Sequence, residues 1–308
     1  MSETGETSVA GAAWPALRVD EWTATRETLH MWTQIVGKVR MALAAPINHW
    51  WHVSLQVTAR GLATGLMPLP GHDGELDIEF DLLAHELVLR RSDGRRDSFA
   101  LTGLSVAAFY AAVFEALGRL GVTVDIRPVP NEVEVAIPFA DDTVHHTYVP
   151  EQATAFWRQL VQADRILRRF RSSFTGKVSA VHFFWGAMDL AVTRFSGRPA
   201  PTHPGGAPHC PDWVMHEGYS HELSSAGFWP GGGEEGAFYS YAYPAPEGFA
   251  DAPVPEGAFF SEAFGEFLLP WETVRTASDP DALVLSFLEA AYDAAATRAD
   301  WPLLTRRW

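Results

Sequence analysis

The sequence contains a single cysteine, Cys210, among its 308 residues. An intramolecular disulfide therefore cannot form, and a zinc or iron–sulfur site rich in cysteine is excluded. Basic residues are also scarce, because 23 lysines and arginines stand against 38 aspartates and glutamates, which gives a formal net charge of −15. Surfaces that bind nucleic acid or anionic membranes need clustered basic residues. We therefore expect neither nucleic acid nor a membrane as a partner.

Targeting and cofactor signals are missing as well. No basic segment followed by an apolar one opens the chain, and no run of 18 apolar residues could span a bilayer. The sequence shows no phosphate-binding glycine loop, no dinucleotide fingerprint and no Gly-x-Ser-x-Gly elbow. We expect a soluble, cytoplasmic protein without a nucleotide or flavin cofactor.

The composition is that of a folded globular protein with many aromatic rings. Apolar residues make up 47% of the chain and charged residues 20%, and there are 12 tryptophans and 12 histidines. Tryptophan fills cores and also lines ligand pockets. Residues 1–13 are small and polar and predict a disordered tail, whereas the rest of the chain predicts one compact globular body.

Hydrophobic periodicity predicts an α+β fold. Apolar residues at spacings of three and four predict one helix from Trp22 to Pro46 and another from an N-cap at Ser105 to Leu120. Alternating patterns between them predict antiparallel strands over residues 49–59, 76–81, 86–91 and 98–101. A further strand is predicted over residues 122–127, and a proline-containing connector then leads to residue 150.

The second half of the chain repeats this order of elements. A helix over residues 155–174 matches the first helix in register, with Trp157 opposite Trp32. Further matches pair the segment 50–58 with 185–193, the segment 80–89 with 260–269, and the closing helices at Ser105 and Asp279 and at Glu115 and Glu289. We therefore predict two diverged copies of a helix–antiparallel sheet–helix unit, residues 14–150 and 151–308, related by pseudo-twofold symmetry. A strand from Lys177 to Gly197 is expected at the centre of the second copy.

Residues 198–235 have no counterpart of similar length in the first copy. Long irregular segments in compact domains are usually functional, and this one is rich in aromatic residues and histidine, so we predict a functional insertion over the junction. Asp212 is expected to cap a short helix through Leu223. A zinc-protease motif needs two histidines four residues apart on one helical face, whereas His216 and His221 are five apart. A metalloprotease is therefore not predicted.

Two polar strand faces are the candidates for a binding site. One carries His52, Ser54, Gln56 and Thr58 in the first copy, and the matching face of the second carries Trp185, Asp189 and Thr193. If the copies meet across a pseudo-twofold axis, these faces enclose a pocket at the junction. The alternative is that both faces point to solvent, as polar sides of antiparallel sheets often do.

Asp189 is the most informative single residue, because a carboxylate among apolar neighbours needs an ionic or hydrogen-bonding partner. It could form a structural ion pair with Arg194, act as a general base, or orient a histidine. The candidate catalytic residues are His52, Asp189, His221 and Glu222. The candidate ligand-binding residues are His49, Trp50, Gln56, Trp185, Thr193, Arg194 and Trp229. His182, His221 and Glu222 could also bind a divalent metal ion, and Cys210 beside His209 is a weak candidate nucleophile.

Six motifs carry a resemblance to a known family. They are WTQIVGKVR at residues 32–40, NHWWHV at 48–53, VHFFWG at 181–186, VTRFSGR at 192–198, YSHE at 219–222 and GFWPGG at 227–232. The chain resembles a bacterial family known only as a domain of unknown function, and the resemblance covers nearly all of it after the tail. This resemblance implies a family but no catalytic residue.

Two functions remain open from the sequence. The first is a small-molecule enzyme with an aromatic- and histidine-lined pocket at the junction of the two copies. The second is a non-catalytic module that binds an apolar or aromatic ligand or a protein partner. A homodimer with a purely structural role is a third, weaker alternative.

Overall fold

The computed structural model describes residues 13–72, 74–302 and 304. The predicted tail, residues 1–13, therefore lies outside the described part of the chain except for its last residue. The α-helices of the described part are α1 (Val19–Leu43), α2 (Val106–Arg119), α3 (Pro150–Ser172), α4 (Asp212–Gly218), α5 (Trp271–Thr276) and α6 (Pro280–Arg298). Of these, none is both long enough and apolar enough to cross a bilayer.

The first antiparallel sheet is formed by the first half of the chain. Its strands are β1 (Gln56–Val57), β2 (Gly61–Ala63), β3 (Met67–Pro68), β4 (Glu75–Asp81), β5 (Glu86–Arg91) and β6 (Arg96–Ala100). They lie in the order β1-β2-β4-β5-β6, and the short β3 pairs with β4 beside β2. Alternation in β4 places Leu76, Ile78 and Phe80 in the core, as the sequence pattern predicts.

The second antiparallel sheet is formed by the second half. Its strands are β7 (His182–Phe184), β8 (Asp189–Pro199), β9 (His221–Trp229), β10 (Ala237–Tyr243), β11 (Phe259–Ser261) and β12 (Glu266–Pro270). Their order is β11-β12-β10-β9-β8-β7. Helices α3 and α6 pack on one face of β8, β9 and β10.

The pair Leu55 and Phe183 forms a bridge between the two sheets. The N–H of Leu55, just before β1, donates to the carbonyl oxygen of Phe183 in β7 at 2.9 Å, and the N–H of Phe183 donates back to Leu55 at 2.9 Å. The edge strands of the two sheets therefore meet at this point, which we call the seam.

Helix α1 runs through the middle of the molecule. Every residue from Met31 to Val39 is buried, so this part of the helix is covered all round rather than on one face. Sequence periodicity predicts the helix but not this complete burial, because burial of the remaining sides comes from elements distant in sequence.

The closing helices begin at the predicted caps. The Ser105 hydroxyl accepts the N–H of Ala108 at 3.1 Å, and the Asp279 carboxylate accepts the N–H of Ala282 at 3.0 Å. These side chains satisfy backbone donors that the first helical turn leaves without a partner.

Several local predictions are wrong. Residues 48–53 form a 3₁₀ segment (Asn48–Val53) instead of a strand, and the strand pairing is limited to Gln56–Val57. The predicted strand Lys177–Gly197 is a hairpin of β7 and β8, and residues 122–127 contain no strand. The predicted insertion, residues 198–235, contains helix α4 and all of β9, and Asp212 accepts the N–H of Gly206 rather than capping α4.

The architecture is α+β with two antiparallel sheets. In each half a long helix precedes the sheet and another follows it, in the order α1, first sheet, α2, and then α3, second sheet, α6.

Candidate functional site

A cavity of about 730 Å³ lies where the two halves of the chain meet. The first half contributes α1, the 3₁₀ segment and residues 127–132 of the connector. The second half contributes the β7–β8 hairpin, α4 and the inward face of β9, β10 and β12. This volume is that of a small-molecule site.

Strand alternation divides the second sheet between the cavity and the helices. Asp189, Ala191 and Thr193 of β8 line the cavity. The residues between them, Leu190 and Val192, belong to the main hydrophobic core on the other face. The second sheet therefore forms the floor of the cavity.

Aromatic rings make up much of the cavity wall. They belong to Trp50, Trp51, Phe184, Trp185, Phe195, Trp213, Tyr219, Trp229, Tyr239, Tyr241 and Phe264. Trp213 of α4 packs against Trp50 with 5.1 Å between ring centroids, although 57% of Trp213 is exposed. An apolar or aromatic part of a ligand would be surrounded by ring faces and edges.

The 3₁₀ segment presents its side chains through an unusual backbone. His49 and Trp50 both have positive φ angles, 58° and 61°, which residues with a Cβ rarely adopt. His49 Nε2 lies 2.7 Å from Lys177 Nζ, and an ammonium group can only donate, so Nε2 accepts. Nδ1 therefore carries the proton and donates to the Gly218 carbonyl at 3.1 Å. Burial lowers the His49 pKa, and the Lys177 charge lowers it further. A neutral His49 thus ties the 3₁₀ segment to the end of α4.

Asp189 accepts a hydrogen bond from the Tyr239 hydroxyl across the cavity floor. Gly227 makes room for this contact, because a Cβ there would lie 2.5 Å from the Tyr239 hydroxyl oxygen. Burial raises the Asp189 pKa to about 6, although the hydrogen bond from Tyr239 opposes the shift. Burial and the nearby Asp189 charge hold the Tyr239 pKa well above its usual value, so Tyr239 stays a proton donor to Asp189.

Glu132 and Glu266 bring two more carboxyl groups to the cavity. Burial raises the pKa of each to about 7, and the charge of Asp189 adds to both shifts. Much of the Glu132 surface is accessible because the side chain borders the cavity, yet protein atoms enclose it closely enough to disfavour its charge. Its carboxylate rests on Gly186, where a Cβ would lie 2.0 Å from Glu132 Oε1.

Lys38 of α1 also lines the cavity, and only 1% of its surface is exposed. Its ammonium donates to Asn131 Oδ1 and lies 5.6 Å from the centre of the Trp185 ring. Burial lowers the Lys38 pKa to about 8, and the charge of Arg127 adds to the effect.

The remaining polar groups of the floor bind one another. The hydroxyl groups of Thr193 and Ser225 lie 3.0 Å apart, and those of Tyr219 and Tyr241 lie 2.8 Å apart. Hydroxyl groups can reverse donor and acceptor roles, so these pairs can adapt to a ligand.

The structure brings seven of the predicted site residues to the cavity and leaves six outside its lining. Those inside are His49, Trp50, Trp185, Asp189, Thr193, Cys210 and Trp229, and those outside are His52, Gln56, His182, Arg194, His221 and Glu222. Trp185 is fixed by an N–H donated to the Val53 carbonyl at 2.8 Å. His52 Nδ1 accepts the N–H of Ile47 at 3.1 Å, which satisfies it within the 3₁₀ segment.

Arg194 points to the helix side of the second sheet. Its guanidinium is fully buried, binds Glu289 of α6 at 3.0 Å and Ser173 at 2.9 Å, and lies 3.3 Å from the centre of the Phe170 ring. It therefore cannot partner Asp189, whose side chain is on the other face.

The three residues considered for a metal site do not meet. Among the described residues, no group of three or more His, Cys, Asp and Glu side chains is placed to hold a metal ion. Glu222 binds Ser196 at 2.9 Å and Arg198 at 2.8 Å, and His221 Nδ1 lies 3.0 Å from the Ser220 hydroxyl. His182 is buried beside Trp51 and Phe184.

Sequence reasoning missed Lys38, Glu132, Tyr239 and Glu266. One signal for Lys38 was present: the chain contains two lysines, Lys38 and Lys177, against 21 arginines, and Lys38 falls within a buried helical pattern. Tyr239 and Tyr241 alternate in one strand, which signals a shared face. Glu132 follows several prolines in the connector, and no periodicity places it.

The fold and the site define an α+β protein with two antiparallel sheets and a cavity where its two halves meet. Aromatic rings wall this cavity, and the carboxyl groups of Asp189, Glu132 and Glu266 line it. The chain belongs to the family of unknown function DUF5996, whose model matches residues 14–306. No curated protein and no solved structure matches it in the two other comparisons.

Proposed function

We propose that this protein is an enzyme that acts on a small molecule by proton transfer in the cavity at the junction of the two halves. The observation that carries the proposal is the pair Asp189 and Tyr239, a carboxyl group and a phenol in direct hydrogen bond on the floor of an aromatic cavity. No ion pair accounts for the Asp189 carboxylate among the described residues, so a structural role as a charge partner does not explain it.

The carboxyl groups are suited to acid–base catalysis near neutral pH. A general base works best when its pKa lies close to the operating pH. The Asp189 pKa is about 6 and the pKa values of Glu132 and Glu266 are about 7. At pH 7 the first is mostly a carboxylate, whereas the other two are divided between acid and carboxylate. One cavity thus holds both a base and proton donors.

The aromatic walls support an apolar or aromatic part in the substrate. Trp185 in the β7–β8 turn and Trp229 at the end of β9 line the cavity from the same end of the second sheet, and the tyrosines add hydroxyl groups to an otherwise apolar surface. Such a lining orients a ligand by a few polar contacts within a hydrophobic enclosure.

Activity profiling tests the proposal without knowledge of the substrate. The purified protein is incubated with a deproteinised bacterial extract, and mass spectrometry follows every small molecule over time. We expect at least one compound to be converted by the wild type and about 100-fold more slowly by Asp189→Asn or Tyr239→Phe. Asp281→Asn, at a surface ion pair with Arg165, is the control that keeps activity.

The second candidate is a binding protein, which the enclosed aromatic lining also favours. In the same experiment it predicts a compound that is retained by the protein and recovered unchanged, with both wild type and Asp189→Asn. Conversion that is equal in wild type, Asp189→Asn and Tyr239→Phe would contradict the proposed catalytic pair.

We also propose that the two halves arose by internal duplication. The order of long helix, antiparallel sheet and closing helix in each half supports this, as do the caps at Ser105 and Asp279. The predicted match of residues 50–58 with 185–193 does not, because a 3₁₀ segment stands opposite a hairpin. The strand orders agree only in part, because β12 and not β11 is the neighbour of β10. Superposition of residues 19–119 on 150–298 tests the proposal, and an overlay in which the long helices and the closing helices do not coincide would refute it.

A further inference from the structure

Lys38 is an exception to how lysine is normally placed. It lies in the part of α1 that is buried on all sides, and 1% of its surface remains exposed. Lysine is almost never fully buried unless it is paired with a carboxylate. The chain also uses lysine only twice, against 21 arginines, so one of two lysines occupies the cavity wall.

The Lys38 amine has one hydrogen-bond acceptor among the described residues, and that acceptor is a neutral amide. Among the described residues its ammonium donates to Asn131 Oδ1 and forms no ion pair. An ammonium group has three N–H donors, so two are left without a protein acceptor. Lys38 is one of the residues that line the cavity, so a ligand there is the acceptor that we infer for them.

We propose that Lys38 is a nucleophile that forms a Schiff base with an aldehyde or ketone substrate in this cavity. The proposal deepens the proposed function and rests on it, since the substrate is the small molecule that the same site would convert.

The chemistry requires an uncharged amine and a proton relay. The Nζ lone pair attacks the carbonyl carbon and forms the N–C bond. The C–O bond then breaks, and the oxygen leaves as water with the two protons that the amine gives up. A lysine pKa of about 8 leaves an appreciable fraction of neutral amine near pH 7.5. No oxidant or reductant is consumed.

Glu132 is placed to relay these protons. Its carboxyl group shares the cavity with Lys38, and the Lys38 charge is one of the influences on its pKa of about 7. The preceding residue, Asn131, is fixed to α1 on both sides. Its N–H donates to Gln34 Oε1 at 2.8 Å, and its carbonyl accepts from Gln34 Nε2 at 2.8 Å. Gln34 and Lys38 are one helical turn apart, so the backbone just before Glu132 is fixed beside the turn of α1 that carries Lys38.

A Schiff base on Lys38 would also explain a catalytic role for the Asp189 carboxylate as a general base. The imine nitrogen takes up one further proton, for which the carboxyl group of Glu132 is the donor in the same cavity. The protonated imine then withdraws electrons from the former carbonyl carbon and makes a proton on the adjacent carbon more acidic. Asp189, hydrogen-bonded to Tyr239, is the base in the same cavity that would remove it.

Hydride trapping tests the proposal directly. The wild-type protein is mixed with benzaldehyde, with 4-phenyl-2-butanone and with the deproteinised bacterial extract, and sodium borohydride is then added. Reduction makes any imine permanent, and peptide mapping by mass spectrometry locates it. We expect the reduced adduct on Lys38 in at least about tenfold excess over Lys177, with a rate that rises with pH through about 8.

Lys177 is the matched control, because it is exposed and its amine is engaged with His49 at 2.7 Å. Lys38→Arg should abolish the adduct and Lys177→Arg should keep it, while Lys38→Met provides a second variant if arginine prevents folding. Absence of an adduct on wild-type Lys38 with all three additions, or equal labelling of Lys177, would overturn the proposal.

The two proposals fail separately. If conversion of a compound survives in a folded Lys38→Met protein, the Schiff base is wrong and the proton-transfer enzyme stands. If the adduct forms on Lys38 but no compound is converted, the nucleophile stands and the enzyme proposal fails.

Discussion

The two faces of the second sheet bury ionisable groups in opposite ways. On the helix face, the Arg194 guanidinium binds a carboxylate and a hydroxyl through its two terminal nitrogens and packs against three aromatic rings. On the cavity face, burial raises the pKa of both Asp189 and Glu266, the charge of Asp189 adds to the Glu266 shift, and neither carboxyl group has a cationic partner among the described residues. A buried ionisable side chain that has an ionic partner holds the surrounding elements together. A buried ionisable side chain without such a partner reduces stability, and its position beside a cavity supports a role in chemistry.

The largest effect should come from breaking the paired face. Glu289→Ala leaves the Arg194 guanidinium buried without its carboxylate, and we expect the free energy of unfolding to fall by about 3 kcal/mol. Urea denaturation measures the change. Glu115→Ala is the control, because the 3.8 Å pair of Glu115 with Arg119 is exposed and should change stability by less than about 1 kcal/mol. Equal losses in the two variants would contradict the contrast between the faces.

Overpacking the cavity wall should have the next largest effect. A Cβ on Gly37 would lie 2.2 Å from Trp185 Nε1, so Gly37→Ala must displace the indole that donates to the Val53 carbonyl. We expect a loss of about 2 kcal/mol, measured by urea denaturation together with tryptophan fluorescence.

Gly118→Ala is the matched control for Gly37→Ala, because a Cβ at Gly118 in α2 meets no atom within 4 Å. Alanine is the better helix former, so this variant should gain about 0.5 kcal/mol. Stabilisation by both substitutions would show that Trp185 is not held against α1.

The unpaired face should respond to pH with the opposite sign from an ordinary ion pair. The Asp189 pKa is raised from 3.8 to about 6, so the native state loses stability as pH rises through this interval. Asp189→Asn removes that loss and should be more stable than the wild type above pH 6, with the difference shrinking as pH falls and vanishing near pH 4.

Asp281 supplies the reverse case in the same measurement. Its hydrogen bond to Arg165 lowers the Asp281 pKa below 3.8, so its contribution to stability is present above that pH and is lost below it. Asp281→Asn should therefore be less stable than the wild type at neutral pH and equal to it in acid. Urea unfolding of the wild type, Asp189→Asn and Asp281→Asn from about pH 3 to pH 8 measures both effects. If the stability of the two variants changed with pH in the same direction relative to the wild type, the contrast between Asp189 and Asp281 would be refuted.

The smallest effect on stability should come from the outer wall of the cavity. Helix α4 contains no buried residue, and Trp213 is 57% exposed, so Trp213→Ala loses chiefly its contact with Trp50. We expect a loss of at most about 1 kcal/mol in thermal or urea unfolding. A larger loss would mean that α4 is part of the core and not a cover.

The sequence predicts those parts of the fold that local patterns determine. The strands β4 and β5 and the caps at Ser105 and Asp279 are confirmed. The prediction of a strand over the 3₁₀ segment is wrong because the left-handed backbone there depends on contacts with α4, which is about 160 residues away in sequence. The sequence predicts one strand where the structure has the hairpin of β7 and β8, because the turn is as apolar as the strands that it joins.

The candidate site divides in the same way. Asp189 and Thr193 could be assigned to one face because strand alternation is local. Arg194 is adjacent to that face in sequence, yet it points to the helices, as alternation itself requires. Lys38 and Glu132 come from a helix and an irregular connector, and their meeting with Asp189 depends on how the two halves pack.

The seam has a consequence for how this chain meets other chains. Unpaired edge strands are the usual starting point of strand addition and aggregation. The reciprocal hydrogen bonds of Leu55 and Phe183 occupy the facing edges of β1 and β7, so the opposite ends of the two sheets are β6 and β11. β11 is three residues long, and β6 begins with Arg96 and Asp97, whose charges oppose docking of another strand. Each half shields the vulnerable edge of the other.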